Sequence, residues 1–203
     1  MVFFRWLVKT NPKIKKVIQL DLLEKYLIEH CSPTLASIKT ASLFSIRLVS
    51  INLQEQLSAW NHRLGDKGIT LLVLRQTEEN ALIYVCRMAR LQADLRKPGV
   101  AEFLAAYGYC HMQAGYALER LKERLKALQD FPHEIGIFLG YPLGDVEGFI
   151  QNAGRNSKCT GCWKVYVNEC ETIKVFARYK KCRDIYTRLW LQGKSVRQLA
   201  VAC

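Results

Sequence analysis

Hydrophobic residues along this chain recur at helical spacing in some stretches and alternate in others, so both helices and strands are expected. Residues 14–30 place Val17, Leu20, Leu23 and Leu27 on one face, the pattern of an amphipathic helix. The helix is expected to end near His30-Cys31-Ser32-Pro33, because proline cannot continue it, with a brief extended segment over 34–38. Leu53, Leu57, Trp60 and Leu64 stripe a second helix, closed by Gly65 and Gly68. Residues 69–75 and 81–87 are rich in strand-forming side chains and are joined by a polar Gln-Thr-Glu-Glu-Asn linker, which predicts a hairpin.

Helical spacing resumes over 88–96 as far as Pro98-Gly99, again over 100–107, and in the stripe Leu118, Leu121, Leu125, Leu128. Residues 134–139 are almost wholly apolar and predict a buried strand, followed by a turn at Gly140-Tyr141-Pro142. A short helix comes next, with Asp145 and Glu147 in its first turns, where the helix dipole favours acids. Residues 162–167 alternate and predict the last strand. A long helix over about 170–191 carries the stripe Val175, Tyr179, Cys182, Tyr186, Leu189; Gly193 stops it, and Ser195 with Gln198 forms a capping box for one more turn. The expected fold is a single α+β domain with an antiparallel or mixed sheet of about five strands, covered by helices and ending in the long helix.

Composition adds the compartment and the chemistry. With 203 residues, half of them hydrophobic, the chain can bury a full core, which excludes a disordered tail. No stretch approaches the roughly 18 apolar residues of a membrane span. The N-terminal apolar residues precede the basic cluster Lys13, Lys15, Lys16, the reverse of a secretory signal, so a cytoplasmic protein with reduced thiols is expected. The formal net charge is +12 and there are eight cysteines. Both are local: residues 151–203 hold eleven Lys and Arg against three acids, and five of the cysteines, while 31–150 are almost neutral.

Cys159-Thr-Gly-Cys162 supplies two thiols that can share a metal or a disulfide. A zinc or iron–sulfur site needs four ligands, and Cys182 and Cys170 are candidate completions, although Cys182 on an apolar stripe is also a small buried hydrophobe. The pair precedes a strand, unlike a thioredoxin motif. Cys31 and His133 are weak candidates for the nucleophile and base of a cysteine hydrolase. Arg178, Lys180, Lys181 and Arg183, with Trp163 and several tyrosines near in sequence, form a basic face that would suit nucleic acid or an acidic protein, or simply be solvated. No phosphate-cradling glycine loop is present.

Four motifs, His30-Cys-Ser-Pro-Thr-Leu-Ala-Ser-Ile-Lys39, Phe131-Pro-His-Glu-Ile-Gly-Ile-Phe-Leu-Gly-Tyr-Pro142, Cys159-Thr-Gly-Cys-Trp-Lys-Val-Tyr166 and Tyr179-Lys-Lys-Cys182, in this order resemble an uncharacterised bacterial family of about two hundred residues, met mostly in anaerobic Gram-positive bacteria. The likeness runs from about residue 21, leaving residues 1–20 as an N-terminal extension. It singles out His30, Cys31, Lys39, His133, Glu134, Cys159, Cys162, Trp163, Lys164 and Cys182. It implies Cys31 or His133 as the fourth ligand beside Cys159, Cys162 and Cys182. The association of such proteins with ferrous-iron uptake and flavodoxin genes implies zinc or iron as cofactor and an acidic redox partner such as a flavodoxin. The leading expectation is therefore a metal-binding or redox-active thiol protein. A basic binding module is the alternative, and a cysteine hydrolase comes third.

Overall fold

The computed structural model describes residues 12–48, 52–127 and 131–202, with side chains from Leu23 onward. The fold is α+β. Three antiparallel strands, β1 (Ala41–Arg47), β2 (Thr70–Gln76) and β3 (Asn80–Cys86), form a sheet in the order β1-β3-β2. Successive side chains of a strand point to opposite faces, and the central strand shows the result. Ala81, Ile83 and Val85 enter one hydrophobic cluster, whereas Tyr84 and Cys86 enter another on the far side. Each face therefore needs its own cover of helices.

The first face is covered by α1 (Pro12–Leu35), α2 (Leu53–Leu64), α8 (Glu169–Leu191) and the single turn α9 (Val196–Leu199). The second is covered by α3 (Met88–Leu95), α4 (Val100–Ala105), α5 (Ala114–Ala127), α6 (Ile135–Phe138) and α7 (Leu143–Gln151). A two-residue hairpin, β4 (Cys159–Thr160) with β5 (Lys164–Val165), links α7 to α8. The expected five strands thus fall into two separate sheets. Among the described residues no helix is long and apolar enough to cross a membrane.

Local chemistry explains most boundaries. The Asn52 side chain accepts from Glu55 N–H and caps α2. Asn61 then grips the outer edge of β2, donating to Leu71 C=O at 3.0 Å and accepting from Leu71 N–H at 2.7 Å. The Ser195–Gln198 capping box opens α9 as expected.

Three expectations are corrected. Helix α1 does not stop at His30 but runs through Pro33 to Leu35, so 34–38 is not extended. Pro33 lies in the last turn, where it removes a single bond, and Ser32 donates its hydroxyl to Ile28 C=O one turn back. The expected strand over 134–139 is a helical turn, α6, wrapped by Leu139 N–H to Ile135 C=O at 3.0 Å and pinned by Tyr84 donating to Phe138 C=O. The expected strand over 162–167 is only two residues long, and strand β1 lies where no element was expected. The boundary at residue 20 falls inside α1, and residues 1–11 and Leu128 lie outside the described residues.

Arg87 sits fully buried at the junction of these layers. Among the described residues its guanidinium donates to the carbonyls of Thr34 at 2.7 Å, Leu35 and Val201 at 2.8 Å, and Lys67 at 2.9 Å. The end of α1, whose last carbonyls lack helical partners, is thereby satisfied by a cation.

Candidate functional site

The β4–β5 hairpin is too short to hold itself, and α7 holds it. Asp145, only 2% exposed in the first turn of α7, accepts three bonds from the strand side: Trp163 Nε1–H at 2.8 Å, Tyr166 N–H at 2.7 Å and Val167 N–H at 3.0 Å. The approach is close because Gly144 and Gly148, one helical turn apart, present no side chains. A Cβ on Gly148 would lie 2.5 Å from Tyr166 Cβ, and one on Gly144 2.5 Å from Val167 Cγ2. Trp163 is fixed on two more sides, stacked on Tyr141 at 4.5 Å and edge-on to Phe176 at 4.6 Å. Tyr141 donates to Cys162 C=O at 3.4 Å.

This arrangement turns Cys162 into a cavity of about 330 Å³ whose walls come from all four motif segments. His30 and Pro33 come from the end of α1, Lys39 from the turn after it, Leu139 and Tyr141 from the turn after α6, and Tyr179 and Arg183 from α8. Ser37, at φ 57°, reverses the chain so that Ile38 and Lys39 N–H both bond to Pro33 C=O, which aims Lys39 at the cavity. Desolvation pushes the Lys39 ammonium below the usual lysine range, and Arg183 adds to this, while the Cys162 and Cys31 thiols oppose it. The Lys39 ammonium also lies 5.5 Å from the centre of the Tyr141 ring. Burial, reinforced by Cys162, raises the Tyr141 hydroxyl above the usual tyrosine range and the Tyr179 hydroxyl to about 12. Both phenols are therefore neutral donors at physiological pH, and Tyr179 donates to Ile38 C=O at 3.4 Å.

A second, more apolar cavity of about 430 Å³ adjoins the first, sharing Leu139, Tyr141 and Cys162 with it. Ile135, Val146, Phe149 and Trp163 form its walls, with His133 and Lys164 among the lining residues. His133 is exposed and packs edge-on against Phe149 at 4.9 Å. Lys164 donates to Gly154 C=O at 2.5 Å.

The thiols do not form the expected cluster. Among the described residues no group of three or more His, Cys, Asp and Glu side chains could hold a metal ion. Cys182 and Cys31 share the first hydrophobic cluster, where burial raises their thiols to about 11 and about 12. Cys162 faces Lys39 instead, and Cys159 on β4 is raised by partial desolvation and by Glu169 beside it. Cys170 is exposed at the start of α8. Neither Cys31 nor His133 completes a ligand set, and the two do not pair. Cys31 is sealed at 0% exposure on the first face, whereas His133 lies beside α6 on the second.

Glu134 is structural: at 1% exposure it pairs with Arg124 and accepts from Tyr109 at 3.1 Å. Arg178, Lys180 and Lys181 are exposed on the outer side of α8. Tyr141 and Tyr179 belong to motifs already noted, but their part in the cavity was not foreseen, and neither was that of Asp145 in positioning the hairpin.

Fold and site together define an α+β protein in which four separated segments enclose a cationic cavity with one thiol in its wall. The sequence profile described as protein of unknown function (DUF3793) matches residues 27–200, and the chain belongs to that family. Neither the curated proteins nor the solved structures compared with the chain gave a match.

Proposed function

We propose that the protein binds a small anionic molecule beside Cys162 and works through that thiol. One observation carries the reading: segments around residues 30–39, 139–141, 162 and 179–183, distant in sequence, meet at this cavity. Its chemistry is consistent with the role. Lys39 and Arg183 supply positive charge beside the Cys162 sulfur, the nucleophilic and redox-active atom of the cavity, and Tyr141 and Tyr179 wall it in. The surplus of positive charge over the C-terminal quarter draws an anion toward the site.

Native protein treated with limiting iodoacetate or iodoacetamide, followed by peptide mass spectrometry, tests this. The exposed Cys110 and Cys170 serve as reference thiols. Relative to them, Cys162 is expected to prefer the anionic reagent, and Lys39→Met removes that preference. Equal preference at all three thiols, or a preference unaffected by Lys39→Met, overturns the proposal.

A further inference from the structure

The second cavity says what the rest of the ligand is. We propose that the ligand is amphiphilic, with an apolar ring-containing body seated against Trp163 and Phe149 and a single anionic group carried past Cys162 to Lys39 and Arg183. This rests on the anion-and-thiol reading above and extends it to a ligand class.

The two cavities are neighbours, since Leu139, Tyr141 and Cys162 line both. At about 430 Å³ the apolar compartment is within the size range of small-molecule sites, which are mostly apolar with a few placed polar groups.

Asp145 is committed to three donors and Lys164 donates to Gly154, while His133 is exposed and packs on Phe149. This lining carries one carboxylate, Asp145, and one basic side chain, Lys164, whereas the first cavity carries two, Lys39 and Arg183, so the anionic group is drawn to the first. Trp163, with its Nε1 tied to Asp145 and its ring held by Tyr141 and Phe176, is a rigid aromatic part of the apolar wall.

The experiment measures how well 2-naphthoate, its neutral counterpart 2-naphthamide, and acetate protect Cys162 from iodoacetamide in the native protein. Naphthoate is expected to protect at concentrations about tenfold or more below either of the others, because it alone gains both ring burial and charge pairing. Lys39→Met should erase its advantage over naphthamide. Thr160→Trp, at an exposed residue lining the apolar cavity, should weaken both naphthyl compounds and spare acetate. Acetate protecting as well as naphthoate overturns the amphiphile. So does the absence of protection by any compound while Cys162 keeps its preference for iodoacetate, a result that leaves the anion-and-thiol reading intact. Loss of that preference in the unmodified protein is the separate failure of the underlying reading.

Discussion

Replacing Asp145 separates two contributions that the structure keeps on different oxygens. Oδ1 accepts both backbone bonds, from Tyr166 and Val167, while Oδ2 accepts the indole N–H of Trp163. Asp145→Asn can retain Oδ1 as an acceptor but turns an NH2 group toward the Trp163 donor. Asp145→Ala removes all three bonds.

A hydrogen bond to a charged group contributes about 1.5–3 kcal/mol net, so Asn should cost about 1.5–3 kcal/mol. Ala should cost about 4–6 kcal/mol, less than three full bonds because a hairpin that swings free lets water reach the abandoned N–H groups. For a chain of this length those losses correspond to roughly 3–12 °C and 8–24 °C in Tm. Urea denaturation followed by circular dichroism measures both, and a cycle with Trp163→Phe isolates the indole bond. In the Phe background Asp145→Asn should become much cheaper, because the donor it opposes is gone. If Asn costs as much as Ala, or costs the same whether or not residue 163 can donate, Asp145 does not act by this division of labour.

Two further outcomes concern the fold. Arg87→Met strips the donors from four carbonyls at one buried junction and should cost about 4 kcal/mol or more by urea denaturation, so a loss under about 1 kcal/mol would contradict the junction's role. The second concerns alkaline pH. Burial raises the thiols of Cys31 and Cys86 from 9.0 to about 12. Above pH 9 the unfolded chain therefore releases these protons while the folded chain retains them, and the stability that is fully present below pH 9 falls as pH climbs toward 12. Each thiol contributes a slope of about 1.4 kcal/mol per pH unit within that window, and Cys31→Ala should flatten the measured slope by about that amount. An unchanged slope would show that Cys31 is not buried as a neutral thiol.

Much of the fold was legible where the pattern is local. Helix α2, the β2–β3 hairpin and the stripe on α8 each declare themselves within a dozen or so residues, as does the Ser195–Gln198 box. Strand β1 did not, because Ser42 and Ser45 interrupt its apolar run and its partner β3 lies some forty residues further on. Residues 135–138 are apolar on every side, and such a run has no period to distinguish a buried strand from a buried helical turn.

The site shows the same division. His30, Lys39, Cys162 and Arg183 were each singled out, but their association depends on the turn after α1 and on the grip of α7, neither of which has a one-dimensional signature. Grouping the thiols by shared chemistry misled, since Cys182 lies on a buried stripe and the hairpin turns only Cys162 toward Lys39.

The Arg87 junction also sets an order of events in the cell. A ribosome releases the chain from its N-terminus, so α1 and the β2–β3 hairpin emerge first. Yet one acceptor of the guanidinium, Val201 C=O, lies 114 residues beyond Arg87, and Val201 N–H closes onto Leu35 C=O at 3.0 Å. At typical elongation rates those residues take about 6–23 s to appear. Throughout that interval α1 lacks its last tie, and for most of it the long helix α8 that packs along it as well, so the order of synthesis runs opposite to the order of closure, and the core can be sealed only after translation has passed residue 201.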